Sequence, residues 1–140
     1  MDTGGQAERQ IKSGANWFFW IAGMSIVNTV AYRLGLQVTF LIGLASTTFV
    51  EGFGVAAADY LHDSATLVLA LTLVGEVLIT GIFVVLGVLA RKGLKWAFIV
   101  GLILYALDAV LWLVFGDYLP AAFHLWGLYG IYSGLRALNR

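Results

Sequence analysis

Four stretches of the chain are apolar almost without interruption, over residues 17–33, 66–90, 96–115 and 120–138. Crossing a hydrocarbon core of roughly 30 Å takes about 20 residues of α-helix. Lipid gives the backbone no hydrogen-bond partner, so segments of this kind must be helical. The pattern predicts an all-α fold, a polytopic membrane four-helix bundle. The single proline, Pro120, stands at the start of the fourth span, where a missing N–H costs least.

A fifth stretch, residues 38–60, is apolar enough to span but holds Ser46, Thr47, Thr48 and Glu51 in its middle. Charge decides its place. With four spans, Arg9, Lys12, Arg91, Lys92, Lys95, Arg136 and Arg140 share one side. Arg33 alone lies on the other, with Asp59, Asp63 and Asp117. A fifth span would carry Arg91, Lys92 and Lys95 away from the N-terminal segment and break the positive-inside bias. Residues 38–60 are thus expected to form an interfacial or re-entrant helical segment between helices 1 and 2, on the outer side. On a helical wheel Thr47, Thr48, Glu51, Gly54 and Ala58 share a small, polar face, and Leu41, Phe49 and Phe53 point elsewhere. Both termini are then cytoplasmic.

Residues 1–15 are polar and glycine-rich, and read as a loose N-terminal tail or a short interfacial lead-in; residues 16–140 form one transmembrane domain. Arg9 and Lys12 before an apolar run imitate a signal peptide. The aromatic cluster Trp17-Phe18-Phe19-Trp20 suits a retained interface anchor better. Trp17-Phe18-Phe19 and Trp96-Ala97-Phe98, with Asn28 and Asp108 at similar depths, hint at a duplicated helix pair.

Composition points the same way. The chain has 140 residues, 61% of them hydrophobic and 11% charged. Soluble domains carry roughly 25% charged residues, so this chain has too few to cover a water-facing surface. Cysteine is absent, which excludes disulfides, thiolate metal sites and cysteine nucleophiles. The formal net charge is zero and the longest basic run is Arg91-Lys92-Gly93-Leu94-Lys95, so no nucleic-acid partner is expected. The expected partners are the lipid bilayer and a second copy or a larger membrane complex.

Polar groups inside the spans carry the candidate chemistry. A carboxylate near mid-bilayer costs about 2.5–3.5 kcal/mol on insertion scales and so faces protein or water. Thr72, Glu76 and Thr80 repeat at helical spacing on the second span, as Gly101, Tyr105, Asp108 and Trp112 do on the third. On the fourth, His124 leads into Gly127, Gly130 and Gly134, a small-residue side that permits close helix contact. Gly130-Ile131-Tyr132-Ser133-Gly134 fits a dimer face or packing within the chain equally well. At 1.5 Å per residue, Glu76 lies about 15 Å, Asp108 about 10 Å, Asn28 about 8 Å and His124 about 6 Å below the outer helix ends. One outward-facing pocket is expected, lined by Asn28, Glu51, Thr72, Glu76, Thr80, Tyr105, Asp108 and His124. Tyr105 or His124 is the expected partner of Asp108. Glu76, Asp108 and His124 are also the weak candidates for a metal site; no cofactor follows from the sequence.

Phosphate-cradling loops, Gly-x-Ser-x-Gly and His-Glu-x-x-His are all missing. The leading expectation is a non-catalytic binding module or accessory subunit for a lipid-like or amphiphilic ligand or a partner helix. A membrane enzyme using Glu76, Asp108 and His124 on a lipid-borne substrate is the alternative. A proton-coupled carrier is weaker, since no polar groups continue through the inner half. The second half, from Ala90-Arg91-Lys92-Gly93 through Ala106-Leu107-Asp108 and Gly116-Asp117-Tyr118 to His124-Leu125-Trp126, resembles small, uncharacterised bacterial four-helix integral membrane proteins. That resemblance implies a compact bacterial inner-membrane domain and brings no activity or site residues.

Overall fold

The computed structural model describes residues 3–36 and 43–140. Met1, Asp2 and the opening of the expected non-spanning segment, with Leu41, lie outside them. Among the described residues the fold is all-helical: α1 (Thr3–Arg33), α2 (Ala45–Tyr60), a 3-10 turn (His62–Ser64), α3 (Ala65–Arg91), α4 (Lys95–Val114) and α5 (Tyr118–Ala137). The expected spans 66–90, 96–115 and 120–138 fall on α3, α4 and α5 within two residues at each end. Helix α3 with its preceding turn, and α4, are long and apolar enough to cross a membrane.

The loose tail expected over residues 1–15 is corrected by α1, which is helical from Thr3. Two physical reasons hold it. Gln6 to Lys12 is mostly good helix formers, and Lys12 donates to Glu8 one turn back at 2.7 Å. Further along, Gly14 lies against Gly134 of α5 so closely that a Cβ on Gly14 would come within 2.6 Å of the Gly134 Cα. The 31 residues of α1 measure about 46 Å, well beyond a hydrocarbon core.

Three helices stop in the same way. Gly35, Gly93 and Gly116 have φ of 72°, 79° and 79°, the left-handed region where a Cβ is costly. At the α3 end, Gly93 N–H donates to the Ala90 carbonyl at 2.9 Å and Leu94 N–H to the Leu89 carbonyl at 3.2 Å. The pairs Gly35–Tyr32 with Leu36–Ala31, and Gly116–Leu113 with Asp117–Trp112, repeat it. This is the Schellman ending, which satisfies carbonyls that a helix end leaves unpaired. Such tight turns force α3 and α4, and α4 and α5, to run antiparallel.

Helices α1, α3, α4 and α5 form a closed ring in which each packs on two others: α1 on α3 and α5, α4 on α3 and α5. Helix α2 lies chiefly on α3, with smaller contacts to α1 and α4. The ring centre is built from aromatic side chains set into glycine gaps. Phe18 fills the gap at Gly101 and meets Phe83 and Phe98 with ring centroids 6.3 and 6.2 Å away. Trp17 covers Gly130, and Tyr105 covers Gly127. The Gly130–Gly134 pattern is therefore occupied within the chain, by α1 and Phe98.

The surface is the reverse of a soluble helical protein. On α3 the buried face carries Thr72, Glu76 and Thr80, and the exposed side carries Leu67, Leu71, Val74, Val77, Leu78 and Val85. Helix α2 does the same: Thr47, Glu51, Gly54 and Ala58 are buried while Phe53 is 71% exposed. Exposed Ile103, Leu107 and Val110 on α4 and Leu125, Trp126 and Tyr129 on α5 extend the apolar coat. The basic residues collect at one end. Arg91 Nε donates to Asn16 of α1 at 3.0 Å, and a Cβ on Gly93 of the α3–α4 turn would meet Leu138, so Lys92, Lys95, Arg136 and Arg140 sit at the end of the bundle below Asn16. Arg33, Asp59, Asp63 and Asp117 mark the other end.

Candidate functional site

Polar residues converge beneath α2 in two separate clusters. The first is built on Asp108 of α4. Its Oδ2 accepts the Ala45 N–H at 2.6 Å and its Oδ1 the Ser46 N–H at 2.9 Å. These are the first two residues of α2, whose own N-terminus has no side-chain cap. A carboxylate from another helix thus satisfies N–H groups that a helix start leaves open, and its charge suits the positive end of the helix dipole. His124 of α5 completes the cluster, with Nε2 3.0 Å from Asp108 Oδ2 and Nδ1 2.8 Å from the Pro120 carbonyl. A carbonyl can only accept, so Nδ1 is the donor in its contact with Pro120. Tyr105 stacks on the imidazole at 4.3 Å, nearly parallel. Ser25 of α1 adds a tether, accepting the Leu44 N–H at 2.8 Å and donating to the Ile21 carbonyl at 2.8 Å.

The second cluster surrounds Glu76 of α3. This residue is 2% exposed, and neither carboxyl oxygen has a hydrogen-bond partner. Glu51 of α2 and Arg33 and Thr29 of α1 lie close enough to act on it electrostatically, without completing a hydrogen bond. Arg33 is committed elsewhere: its Nη2 donates to Glu51 Oε2 at 2.8 Å and more weakly to the Leu69 carbonyl at 3.4 Å. Among the described residues the other buried side-chain atom without a partner is Trp112 Nε1. Glu76 is the more costly of the two, because it is ionisable.

An outward-facing groove of about 260 Å3 runs between α1 and α3 beside this carboxyl. Ile26, Val30, Leu73, Val77 and Val84 form its walls, and Thr29, Glu76, Thr80 and Gly81 its polar or small positions. Its walls are part of the exposed apolar coat; Val77 is 62% exposed.

Asp108, His124 and Tyr105 come together, and Glu76, Thr80 and Glu51 come together, but the groove at Glu76 includes none of Asn28, Asp108 and His124. Glu51 follows Ala45 and Ser46 by five or six residues, about 8 Å along α2, so both clusters lie under one helix while remaining distinct. Asn28 is buried with its amide against Gly43, where a side chain would collide with it. Thr72 donates to the Val68 carbonyl at 2.8 Å and packs on Gly54 of α2. No three His, Asp or Glu among the described residues stand where they could hold a metal ion, so Glu76, Asp108 and His124 do not form the metal set considered above.

Ser25, Thr29 and Arg33 escaped the sequence reading. Arg33 did leave a signal: it is the one basic residue on the side that holds the buried carboxylates. Ser25 and Thr29 left none, since small hydroxyl residues are common in apolar helices. Comparison with protein families, with curated proteins and with solved structures gave no match.

Proposed function

We propose that the chain is a small bacterial inner-membrane protein in which α1, α3, α4 and α5 span and α2 covers the outer mouth of a four-helix bundle. Both termini face the cytoplasm. The exposed apolar coat over all four helices supports this, because a patch of that extent has no place in water. The collection of seven basic residues at one end supports the orientation. Native cysteine is absent, so single cysteines at Lys92 and Asp117 give clean labelling. Impermeant reagent in intact cells should label position 117 and spare 92. The opposite result reverses the orientation.

In this reading the protein is a non-catalytic binding module, and its ligand is an amphiphile that enters the α1–α3 groove from the bilayer. The observation that carries this is the unpartnered Glu76 carboxyl beside a lipid-facing apolar groove. Lipid tails suit the walls, but they give Glu76 nothing; a molecule with an apolar body and a polar head satisfies both. Asp108 and His124 are spoken for by the start of α2 and by Pro120, which leaves Glu76 as the group open to a ligand. Mass spectrometry of protein released gently from its own membranes should find a small amphiphile retained one to one. Val77→Trp, which fills the groove from an exposed position, should remove it. Retention unchanged by V77W would place the ligand elsewhere.

A further inference from the structure

Glu76 is the ionisable residue that lines the groove, and Arg33 and Glu51 are the charged groups that act on it from outside the lining. Arg33 is paired with Glu51, so the ionised trio sums to minus one. Among the described residues no other cation is placed to correct this. Helix α3 has no basic residue before Arg91, at its far end, and α2 has none at all. The remaining basic residues of α1, Arg9 and Lys12, lie in its first turns. Helix α4 offers Asp108 and Tyr105, of which Asp108 is turned to the start of α2; its one basic residue, Lys95, is at the opposite end. Asp59 of α2 is exposed at that helix's last turn. Something positive must neutralise Glu76, and in a low-dielectric setting it must do so at close range.

We propose that the α1–α3 groove is an exchange site in which an amphiphilic amine and a proton compete for the Glu76 carboxyl. The proposal rests on the groove being an amphiphile site and specifies the charge of its occupant. An ammonium brings three N–H donors, enough for the carboxyl oxygens and for a hydroxyl of Thr29 or Thr80. Charge-assisted hydrogen bonds of this kind are about twice as strong as neutral ones. The space sets the size of the body. At about 30 Å3 for a water-sized group, 260 Å3 takes roughly eight or nine such groups, a short alkyl chain rather than a whole phospholipid. The Glu76 oxygens are buried beside the groove, so binding includes a change of the Glu76 rotamer toward the amine. When the amine leaves, a proton takes its place.

Octylamine and octanol share a chain and differ in charge, and they are the probes. Calorimetric titration of the full chain in a non-ionic detergent should give one octylamine site, at least about tenfold tighter than octanol, the worth of one charged hydrogen bond. Below about pH 8 the amine stays charged, and its affinity should fall on acidification by up to about tenfold per pH unit, the slope of one competing proton. Glu76→Gln should bring the two probes to equal affinity and flatten the pH profile. Octanol binding as tightly as octylamine, or an E76Q variant that keeps the amine preference, overturns the charge assignment and leaves amphiphile binding intact. Neither probe binding overturns both readings. Should E76Q fail to fold, the octylamine-to-octanol ratio of the unmutated protein and its pH slope decide alone.

Discussion

Asp108 and Arg33 hold α2 by charge from other helices, and their removal should have different signatures. Asp108→Asn keeps the size but offers one acceptor oxygen where two were used. Losing a cap costs about 1–2 kcal/mol. Amide exchange should quicken in α2 while α3 and α4 stay protected, and uniform loosening would mean that Asp108 supports the whole ring. Arg33→Met leaves Glu51 buried without its cation. The pair is 30% and 4% exposed by side chain, so the cost should fall near the low end for a broken buried pair, about 3 kcal/mol. Glu51→Gln in the same chain should recover most of that, measured as the thermal midpoint in detergent. If the double variant is as weak as R33M, the pair is not the interaction that matters. The same residues explain why two buried clusters are tolerated: each charge in the first has a partner, and only Glu76 in the second does not.

At the scale of the element, glycine does two jobs that a larger residue cannot share. Gly93 ends α3 with positive φ and has ordinary room around it, the nearest atom to a Cβ being 3.7 Å away. Gly93→Ala should cost about 1–2 kcal/mol from backbone strain alone. Gly130 has a helical backbone but no room, since Trp17 fills the space a side chain would take. Gly130→Leu should cost more, about 3 kcal/mol at the upper end for overpacking, and should disturb Trp17 fluorescence. A G130L chain as stable as the parent would mean that α1 can slide on α5 without loss. Helix α2 owes its place to other elements: Asp108 at its start, Arg33 at its middle and Thr72 against Gly54.

At the scale of the whole molecule, a dry half and a polar half are stacked along one axis. Toward the basic end the ring is closed by Phe18, Phe98, Phe83 and small residues such as Ala15, Ala90 and Ala97, all buried. Toward the acidic end lie the two clusters and α2. Among the described residues the buried carboxylates Glu51, Glu76 and Asp108 and the buried His124 all lie toward the acidic end. Helix α1, about 46 Å long, reaches past the dry half and carries Arg9 and Lys12 beyond it. Truncation before Gly14 should therefore leave the ring folded, while Gly14→Leu, which strikes Gly134, should lower the thermal midpoint clearly. Equal loss in both would show that the solvent-facing turns of α1 are structural too.

Apolar runs of helical length and a seven-to-one division of basic residues were legible because they are local or additive properties of the chain. They fix which segments are helices, where α3, α4 and α5 begin and end, and which end of the molecule is basic. Helical spacing was also enough to put Thr72, Glu76 and Thr80 on one buried face, and Thr47, Glu51, Gly54 and Ala58 on another, with Thr48 only half-buried at its edge. Depth along a helix cannot say which way around the axis a face turns relative to another helix. That is why four residues at similar depths were expected in one pocket. Only the packing of α2 across α3 and α4 decided that Asp108 and His124 close on the α2 backbone while Glu76 turns toward α1. The N-terminal segment was misjudged for a related reason: its polar residues gave no helical stripe, and its helix depends on Gly14 meeting Gly134, 120 positions away in sequence. Contacts of that range follow from shape and charge brought together by folding, which no window of sequence contains.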